Sequence, residues 1–407
     1  MKFVVAQLGA RMHYAVPRIL WNLDKLSKLY TDIASIGIVG SCANVLSRAP
    51  IAGIRRLKAR SPEGIPDALI RHFPGFGLSY RLRALAARSH TGKTVVSLRA
   101  GSDFCRRVVR EGFGDARGVY VFSSMGKELL EAARDRGVYG ALEQINAPRR
   151  LFDRLYREEA AAWPGWESCP YRDDISEEFI AQEESEWRLA DRVICGSQFV
   201  AENVSTNAPM NGKCSVVPYG IDWEPGTARR RRNQDNLKVL FCGRASLIKG
   251  IPYLVKALAM LKSPRVVCRV AGGHVLSEQA RKDLSKVAEV VGMIPRNKMR
   301  AMYDWADVFV LPTLCEGSAT VCYEALACGL PVITTSHSGS VIRDGREGFI
   351  VPIRDSFALA SAIDHLAGDP VLYEEMSRNA LERASEFTLD WYAQRLTYAL
   401  GLTPNLC

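Results

Sequence analysis

The stretch that decides the fold of this chain is Pro312–Ser340, PTLCEGSATVCYEALACGLPVITTSHSGS. Strand-like runs at Asp307–Leu311 and Pro331–Thr335 frame it. Between them Ser318–Cys328 is predicted to be a short helix, closed by Gly329 in a left-handed turn. A strand, a turn, a helix start and a second strand place backbone N–H groups at the carboxyl edge of a parallel sheet. The stretch therefore predicts an anion-binding site.

Two glutamates accompany this predicted anion site. Glu316 lies just before the helix and Glu324 lies inside it, eight positions further on. Carboxylates accept hydrogen bonds from hydroxyl groups, so the pair favours a ligand with hydroxyls close to its phosphates, such as a nucleotide sugar. The alternative is an ordinary buried strand–helix–strand unit that carries two solvated glutamates, because two Glu eight apart are common.

The segment resembles the Glu-x7-Glu signature of retaining glycosyltransferases of family 4. Those proteins have the GT-B fold, an α/β architecture of two Rossmann-like domains that face each other across a cleft. The resemblance extends through nearly all of the C-terminal half and more thinly through the N-terminal half. It implies a nucleotide-sugar donor and a hydroxyl acceptor.

Two basic residues upstream match the family's diphosphate-binding pair. Arg244 follows the strand-like run Leu237–Gly243, and Lys249 precedes a predicted helix with Pro252 in its first turn. Negative charge grows on the leaving diphosphate in the transition state, and fixed cations with a helix start stabilise it. The chain has no Asp-x-Asp motif. The resemblance therefore implies a site that uses neither a metal nor a cofactor.

The resemblance also assigns roles to the residues of the central motif. Glu324 is expected to accept hydrogen bonds from the ribose hydroxyls, and Glu316 to hold sugar hydroxyls or the charge that develops near the anomeric carbon. The diphosphate is expected to contact the residues at the helix start, which are Gly317, Ser318, Ala319 and Thr320. The nucleotide base is expected to contact backbone groups of Met293 and Ile294.

The N-terminal half supplies further candidates. Gly9 to His13 resembles the family's loop after the first strand, which faces the sugar and the acceptor, although the usual double glycine is missing. His13 is thus a candidate for the rim of the site, and a plain surface or core histidine is the alternative. The strand ends here carry no His, which family members often have, and Gln144 and Asn146 are expected to hydrogen-bond sugar hydroxyls instead.

Strand-like and helical runs alternate along the chain, which predicts parallel sheets covered by helices. A strand is expected at Thr94–Leu98, so the preceding GKT tripeptide is not read as a phosphate-binding loop; Ala87 also stands where that loop needs glycine. With the resemblance, the expected divisions are an N-terminal domain at 1–222, a linker at 223–236, a nucleotide-sugar domain at 237–387 and a returning terminal helix at 388–407.

Composition is that of a globular protein. Of 407 residues, 47% are hydrophobic and 24% charged, which argues against wholesale disorder. No apolar run is long enough to cross a membrane, and the start lacks the apolar core of a signal peptide. The eleven Cys form no CxxC pair, which is typical of reduced thiols and disfavours structural zinc. We expect a cytoplasmic protein, with the inner face of the membrane as a further location.

The net charge of +10 falls within one segment of the chain. Residues 51–110 carry 13 Lys or Arg and three Asp or Glu. A basic field favours an anionic partner, such as membrane phospholipid, a lipid-linked pyrophosphate acceptor or nucleic acid, and a merely soluble basic surface is the alternative. The chain has no nucleic-acid recognition module, so no nucleic acid is expected. The basic residues include Arg55, Arg56, Lys58, Arg60, Arg81, Arg83, Arg106 and Arg107.

The sequence therefore favours a retaining, metal-independent glycosyltransferase that uses a UDP- or GDP-sugar. Its expected acceptor is a free or lipid-linked saccharide in the synthesis of a cell-surface polysaccharide. Two rivals remain open. A sugar-nucleotide epimerase of the same fold would release nucleotide diphosphate without an acceptor. A non-enzymatic polyanion-binding protein would show steeply salt-dependent binding and no affinity for nucleotide sugars.

Overall fold

A computed structural model describes most of the chain. The basic side chains predicted at Arg55, Arg56 and Lys58 lie outside its described residues, as do parts of the expected linker and of the terminal segment. The described ranges are 1–37, 60–87, 90–169, 175–223, 225–229, 236–263 and 265–402.

The N-terminal half forms a seven-stranded sheet flanked by helices. In chain order the strands and helices are β1 (Phe3–Gln7), α1 (Ala15–Asn22), β2 (Leu26–Thr31), β3 (Ile70–His72), α2 (Pro74–Ala86), α3 (His90–Glu111), β4 (Gly118–Phe122), α4 (Lys127–Asp135), β5 (Tyr139–Gln144), α5 (Arg149–Ala162), α6 (Ser176–Leu189), β6 (Arg192–Cys195), α7 (Gln198–Asn207) and β7 (Cys214–Val216).

The C-terminal half forms a six-stranded sheet with its own helices. They are β8 (Leu237–Cys242), α8 (Ile251–Ala259), β9 (Val266–Ala271), α9 (Glu278–Val287), β10 (Glu289–Gly292), α10 (Met299–Trp305), β11 (Val308–Leu311), α11 (Thr320–Ala327), β12 (Val332–Thr334), β13 (Gly348–Ile350), α12 (Ser356–Gly368), α13 (Pro370–Ser385) and α14 (Leu389–Ala399).

The two sheets share one topology. Their strand orders are β3-β2-β1-β4-β5-β6-β7 and β10-β9-β8-β11-β12-β13, and the strand pairs are parallel, for example Val5 with Tyr120 and Leu240 with Phe309. In each sheet the order reverses beside its first strand, β1 or β8. Ligands of open parallel sheets bind outside the carboxyl ends of the strands at such a reversal. Each domain therefore offers one binding edge.

One predicted strand is wrong. Residues Thr94–Leu98 lie inside α3, a helix of 22 residues that begins at His90. The segment is nevertheless not a phosphate-binding loop. Ala87 stands where that loop needs glycine, and Gly92 and Lys93 are helical residues.

Each sheet has its own hydrophobic core. Helix α14 contributes Tyr392 and Leu396 to the core of the N-terminal sheet, although the residues before it pack on the second domain. The chain thus crosses between domains twice, and the two crossings touch. The amide of Ile221 donates to the carbonyl of Phe387 at 2.9 Å, and a Cβ on Gly220 would stand 2.5 Å from the carbonyl oxygen of Thr388. This double crossing forms a narrow hinge.

A third apolar cluster joins the two domains. Leu151, Leu155 and Tyr156 of α5 pack there against Ile248 and Leu314 of the second domain. Helix α5 therefore spans the cleft, and its first turn faces the loop before α8. None of the described helices is long and apolar enough to span a bilayer.

Candidate functional site

The central motif forms a strand–turn–helix–strand unit, as predicted. Helix α11 begins after Ala319 without a side-chain cap and ends at Ala327, and Gly329 just beyond it has a φ of 68° that gives the expected left-handed turn. The amide of Ala319 donates to the carbonyl of Ser338 at 3.1 Å, so that N–H is already engaged. By helix geometry the amides of Thr320 and Val321 have no partner inside the helix and remain suited to an anion, whereas the Cys322 amide donates to the carbonyl of Ala319 at 2.9 Å.

Glu324 is the buried carboxylate of the site. It is 5% exposed and lies in the second turn of α11. Tyr303 of α10 donates its hydroxyl to one carboxylate oxygen at 2.8 Å, and Arg296 lies 3.5 Å from the other. Burial raises the pKa of Glu324, while the Tyr303 hydrogen bond and the Arg296 charge oppose the rise. Glu324 is therefore a fixed acceptor with one exposed cation beside it.

Lys249 and Glu316 meet directly. The Lys249 ammonium forms an ion pair with Glu316, and both side chains are about four-fifths buried. Burial lowers the pKa of Lys249 to about 8, so the lysine is mostly charged at neutral pH. The structure thus brings together two residues that lie 67 positions apart in the sequence.

Three other expected ligand contacts lie on the edge of the second sheet. Arg244 follows β8 and is exposed. Met293 follows β10 and is 75% exposed, and Ile294 is half-buried beside it. Their position at the carboxyl ends of the parallel strands β8 and β10, which lie on either side of β9, agrees with a ligand laid along that edge.

The turn after Glu316 touches the other domain. A Cβ on Gly317 would stand 1.8 Å from the carbonyl oxygen of Ile145, so only glycine fits there. Ser197, the N-cap of α7, donates its hydroxyl to the carbonyl of Gly317 at 2.5 Å. The hydroxyl of Ser318 is bonded to that of Tyr323 at 2.8 Å and points into the domain. The cleft is therefore closed at this point.

Gly9 is held by a buried ion pair. Its φ is +80°, its amide donates to Asp32 at 2.9 Å, and the other oxygen of Asp32 pairs with Arg60 at 2.6 Å. Asp32 is 1% exposed. Arg60, assigned by the sequence to a basic surface, is thus mostly used inside the first domain.

His13 lies in a strained turn at the rim of the cleft. Met12, His13 and Tyr14 all have positive φ, between 44° and 60°, which costs L-residues about 1–2 kcal/mol each. The pKa of His13 is lowered by partial burial and then by the charge of Arg296 on the opposite domain. Through Arg296 the turn faces Glu324.

Gln144 does not face the cleft, contrary to the predicted sugar contact. Its side chain is fully buried, and its amide donates to Glu183 at 2.8 Å and to the carbonyl of Asn146 at 3.0 Å. Its oxygen accepts from Trp187 at 2.8 Å. With the amide used inside the domain, the exposed Asn146 two residues later is the side chain that reaches the cleft.

A cavity of about 280 Å³ lies between the domains, and the Lys249–Glu316 pair forms one wall. The sequence did not single out Arg149, Phe152, Phe179 or Glu183, which line the opposite wall. Nor did it identify Tyr303 and Arg296. These residues lie on helices or turns remote in sequence from the motif, so only the packing of α5, α6 and α10 reveals them. Within the described ranges, no three His, Cys, Asp or Glu side chains are grouped as a metal ion needs.

Comparison with known proteins defines the class of the second domain. Residues 236–369 match the family model described as glycosyl transferases group 1. The match covers the second sheet from β8 to α12 and includes Arg244, Lys249, Glu316 and Glu324.

Particular relatives agree with that class. The chain is 33% identical over 229 residues to D-inositol 3-phosphate glycosyltransferase of Streptomyces avermitilis, covering 49% of each protein. It is 29% identical over 255 residues to glycogen synthase of Mycobacterium tuberculosis, covering 59% of this chain and 60% of the relative. The alignments thus span about half of the length of these relatives.

Solved structures show the fold of the whole chain. HepE of Anabaena, in complex with UDP and glucose, superposes with a TM-score of 0.62 at 15% identity over 99% of this chain and 100% of that one. Sucrose-phosphate synthase of Thermosynechococcus elongatus gives 0.66 at 17% identity over 98% of both chains. The two facing parallel sheets therefore have the GT-B fold, which confirms the predicted architecture.

Proposed function

We propose that this protein is a metal-independent glycosyltransferase of the family 4 type, which moves a sugar from a UDP- or GDP-sugar to a hydroxyl acceptor. One observation carries the proposal: the Lys249–Glu316 pair and buried Glu324 lie together along the carboxyl edge of a sheet that faces a second domain. Cation, carboxylates and helix start are the groups that a nucleoside diphosphate sugar needs.

The donor would lie along the second domain. Glu324, oriented by Tyr303, accepts hydrogen bonds from the ribose hydroxyls. Arg244, Lys249 and the first-turn amides of α11 hold the diphosphate, and the base lies near Met293 and Ile294. On binding, the diphosphate replaces Glu316 as the partner of Lys249. Glu316 is then released to accept hydrogen bonds from hydroxyls of the donor sugar.

The reaction would retain the anomeric configuration. The acceptor oxygen forms a bond to the anomeric carbon on the face from which the diphosphate leaves. The bond between that carbon and the phosphate oxygen breaks, and the departing phosphate takes the acceptor's proton. Arg244 and Lys249 stabilise the charge that grows on the leaving group, which is where preorganised cations lower a barrier.

The acceptor side would work at a membrane surface on a lipid-linked saccharide of a cell-surface polysaccharide. Helix α2 presents Leu78, Leu82 and Leu85, which are 57%, 59% and 82% exposed. Their spacing places them on one face of the helix, and Arg81 and Arg83 lie on the same helix. Exposed apolar side chains with flanking arginines are suited to an anionic lipid surface.

Sedimentation with lipid vesicles tests the membrane part. We expect binding to vesicles containing phosphatidylglycerol and much weaker binding to pure phosphatidylcholine. The double variant Leu82→Gln/Leu85→Gln is expected to lose it, whereas Val371→Gln, an equally exposed apolar residue on α13, keeps it. Binding that is equal for both lipids or for both variants would refute the surface.

Release of nucleotide diphosphate tests the activity. UDP- and GDP-sugars are incubated with the protein, with and without a crude lipid-linked saccharide fraction. The proposal expects release that rises when acceptor is present, together with a new glycoside. Release that never depends on acceptor, with an epimerised sugar as product, would identify an epimerase instead.

A further inference from the structure

The segment between the domains contacts the end of the helix that carries Glu324. The amide of Gly226 donates to the carbonyl of Ala327, the last residue of α11, at 2.6 Å. The amide of Arg229 donates to the hydroxyl of Ser377 at 2.8 Å, and that hydroxyl donates to the carbonyl of Gly329 at 2.7 Å. Residues 225–229 of the expected linker are therefore packed along the C-terminal end of α11.

The side chain of Arg229 bonds the ends of two helices at once. Its guanidinium donates to three carbonyls at the C-terminal end of α10 and to one carbonyl just after α11. The acceptors are Tyr303 at 3.0 Å, Asp304 at 3.0 Å, Ala306 at 2.6 Å and Cys328 at 3.1 Å. The last carbonyls of a helix lack donors inside the helix, and its negative end favours a cation. The side chain is 19% exposed, so Arg229 is part of the packed domain.

The same two helices meet at the proposed ribose site. Tyr303 on α10 donates its hydroxyl to Glu324 on α11 at 2.8 Å. The ring of Tyr303 packs edge-on against Trp223 of the linker, with 5.2 Å between the ring centres. The linker thus contacts both the backbone and the ring of the residue whose hydroxyl orients Glu324.

We propose, on the basis of the function proposed above, that Arg229 is a positioning residue for the donor site. It fixes the end of α10 against the end of α11 and thereby keeps the Tyr303 hydroxyl on Glu324. A planar guanidinium has five donors for these four carbonyls, whereas a lysine ammonium has three. The linker therefore contributes to ribose recognition as well as joining the domains.

The ionisation of Glu324 reports whether this arrangement holds. Burial raises the pKa of Glu324, and the Tyr303 hydrogen bond and the Arg296 charge oppose that rise. Loosening α10 therefore moves this pKa upwards, and the ionised carboxylate that ribose needs is lost at higher pH. The thiols that face Glu324 stay neutral in acid, because burial raises their pKa to about 12, about 12 and about 11. They are Cys242, Cys322 and Cys328.

Calorimetric titration of UDP or GDP over a pH series tests the proposal. In Arg229→Ala the acid limb of the affinity should lie at higher pH than in the wild type. Below both limbs, each pH unit of this shift weakens binding about tenfold. In donor kinetics the effect should fall on KM rather than on kcat, because the diphosphate cations and Glu316 are untouched. Adding Arg229→Ala to Tyr303→Phe should move the limb no further, since both act through one hydrogen bond.

Arg269→Ala is the matched control. Arg269 also contacts α10, but through a ring, since its guanidinium carbon lies 4.1 Å from the ring centre of Trp305. Its side chain is 27% exposed and pairs with Glu289 at 2.7 Å. The acid limb of this variant should coincide with that of the wild type. If Arg229→Ala does not fold, Arg229→Lys carries the test, and its limb should lie between those of the wild type and Tyr303→Phe.

Three results would overturn the role of Arg229. They are a wild-type pH profile in the folded Arg229 variant, an equal shift in Arg269→Ala, and a shift in the double variant that adds to that of Tyr303→Phe. If the wild type binds neither nucleotide, the proposed function fails and this role fails with it. Nucleotide binding by the wild type with an unshifted limb in the variant refutes the role of Arg229 alone.

Discussion

At the scale of single residues, the hydrogen bond from Tyr303 favours the ionised form of Glu324. The carboxylate must be ionised to accept two ribose hydroxyls, and burial raises its pKa above the ordinary value for glutamate. The affinity for UDP is therefore expected to fall as the pH drops through that raised pKa. Tyr303→Phe removes a hydrogen bond that favours the ionised carboxylate, so the pKa of Glu324 is expected to rise further.

Calorimetric titration of UDP or GDP over a pH series measures this shift. In Tyr303→Phe the acid limb should lie at higher pH than in the wild type, with equal affinity at alkaline pH. Tyr373→Phe is a suitable control, because Tyr373 is equally buried and its hydroxyl donates to the carbonyl of Asp307 rather than to Glu324. Superimposable pH profiles would contradict the assigned role of Tyr303.

Glu316 is expected to serve the reacting sugar rather than the nucleotide. Glu316→Gln removes the charge near the anomeric carbon and leaves Lys249 free for the diphosphate. We predict that kcat falls by about 10²-fold, the scale of losing one preorganised electrostatic group. The affinity for UDP or GDP should stay equal or rise. Steady-state kinetics and calorimetry on the same variant test this. A loss of nucleotide affinity with normal kcat would show that Glu316 binds the nucleotide rather than the reacting sugar.

At the scale of helices and strands, two serine helix caps with the same side-chain hydrogen-bond distance differ in their further contacts. Ser197 caps α7 and Ser277 caps α9, each accepting an amide at 3.3 Å. Only Ser197 also bonds Gly317 across the cleft. Both alanine variants should lose about 1 kcal/mol of unfolding free energy from the lost cap.

Only Ser197→Ala is expected to raise the KM for the donor as well, because the turn after Glu316 loses its contact with the first domain. Chemical unfolding and donor kinetics on both variants decide the point. Equal kinetics for the two variants would mean that the Gly317 contact does not position the motif.

Much of the fold was predictable from local patterns. Strands β8 and β11 lie where the apolar runs Leu237–Gly243 and Asp307–Leu311 predict, because runs buried on both faces are nearly continuous in parallel sheets. The error at Thr94–Leu98 arose because a TVV triplet favours strand locally, whereas the apolar positions of the whole segment have helical spacing over 22 residues.

The site was predictable only where one segment carries it. Glu316, Glu324 and the helix start lie in one stretch, and Arg244 and Lys249 match a family pattern. The partners Tyr303 and Ser197 depend on which helices pack together, which no local pattern encodes. Gln144 was predicted to face the cleft because it ends a strand. In the structure its amide nitrogen donates to Glu183 and its amide oxygen accepts from Trp187, both on α6.

At the scale of the whole molecule, α5 links the two domains through contacts other than the crossing at Ile221 and Phe387. Glu159 is fully buried and accepts from Tyr253 at 2.8 Å and from Arg354 at 2.6 Å, both on the second domain. Glu159→Ala would leave Arg354 without this partner. We predict a loss of about 1–3 kcal/mol in unfolding free energy and a larger radius of gyration in solution scattering.

A surface ion pair between α5 and α6 provides the control. Arg150 and Glu184 form an exposed ion pair within the first domain, so Glu184→Ala should cost less than about 1 kcal/mol and leave the scattering profile unchanged. An unchanged radius of gyration in Glu159→Ala would show that α5 does not restrain the domains.

The central claim, that the edge of the second sheet binds a nucleoside diphosphate through Glu324, is tested most directly by calorimetry. UDP, GDP and ADP are titrated into the wild type and into Glu324→Ala, with folding of the variant checked by circular dichroism. The account predicts micromolar affinity for one of the nucleotides and its loss in the variant. If the wild type binds none of the three, or if the folded variant binds as tightly, the proposed site is wrong.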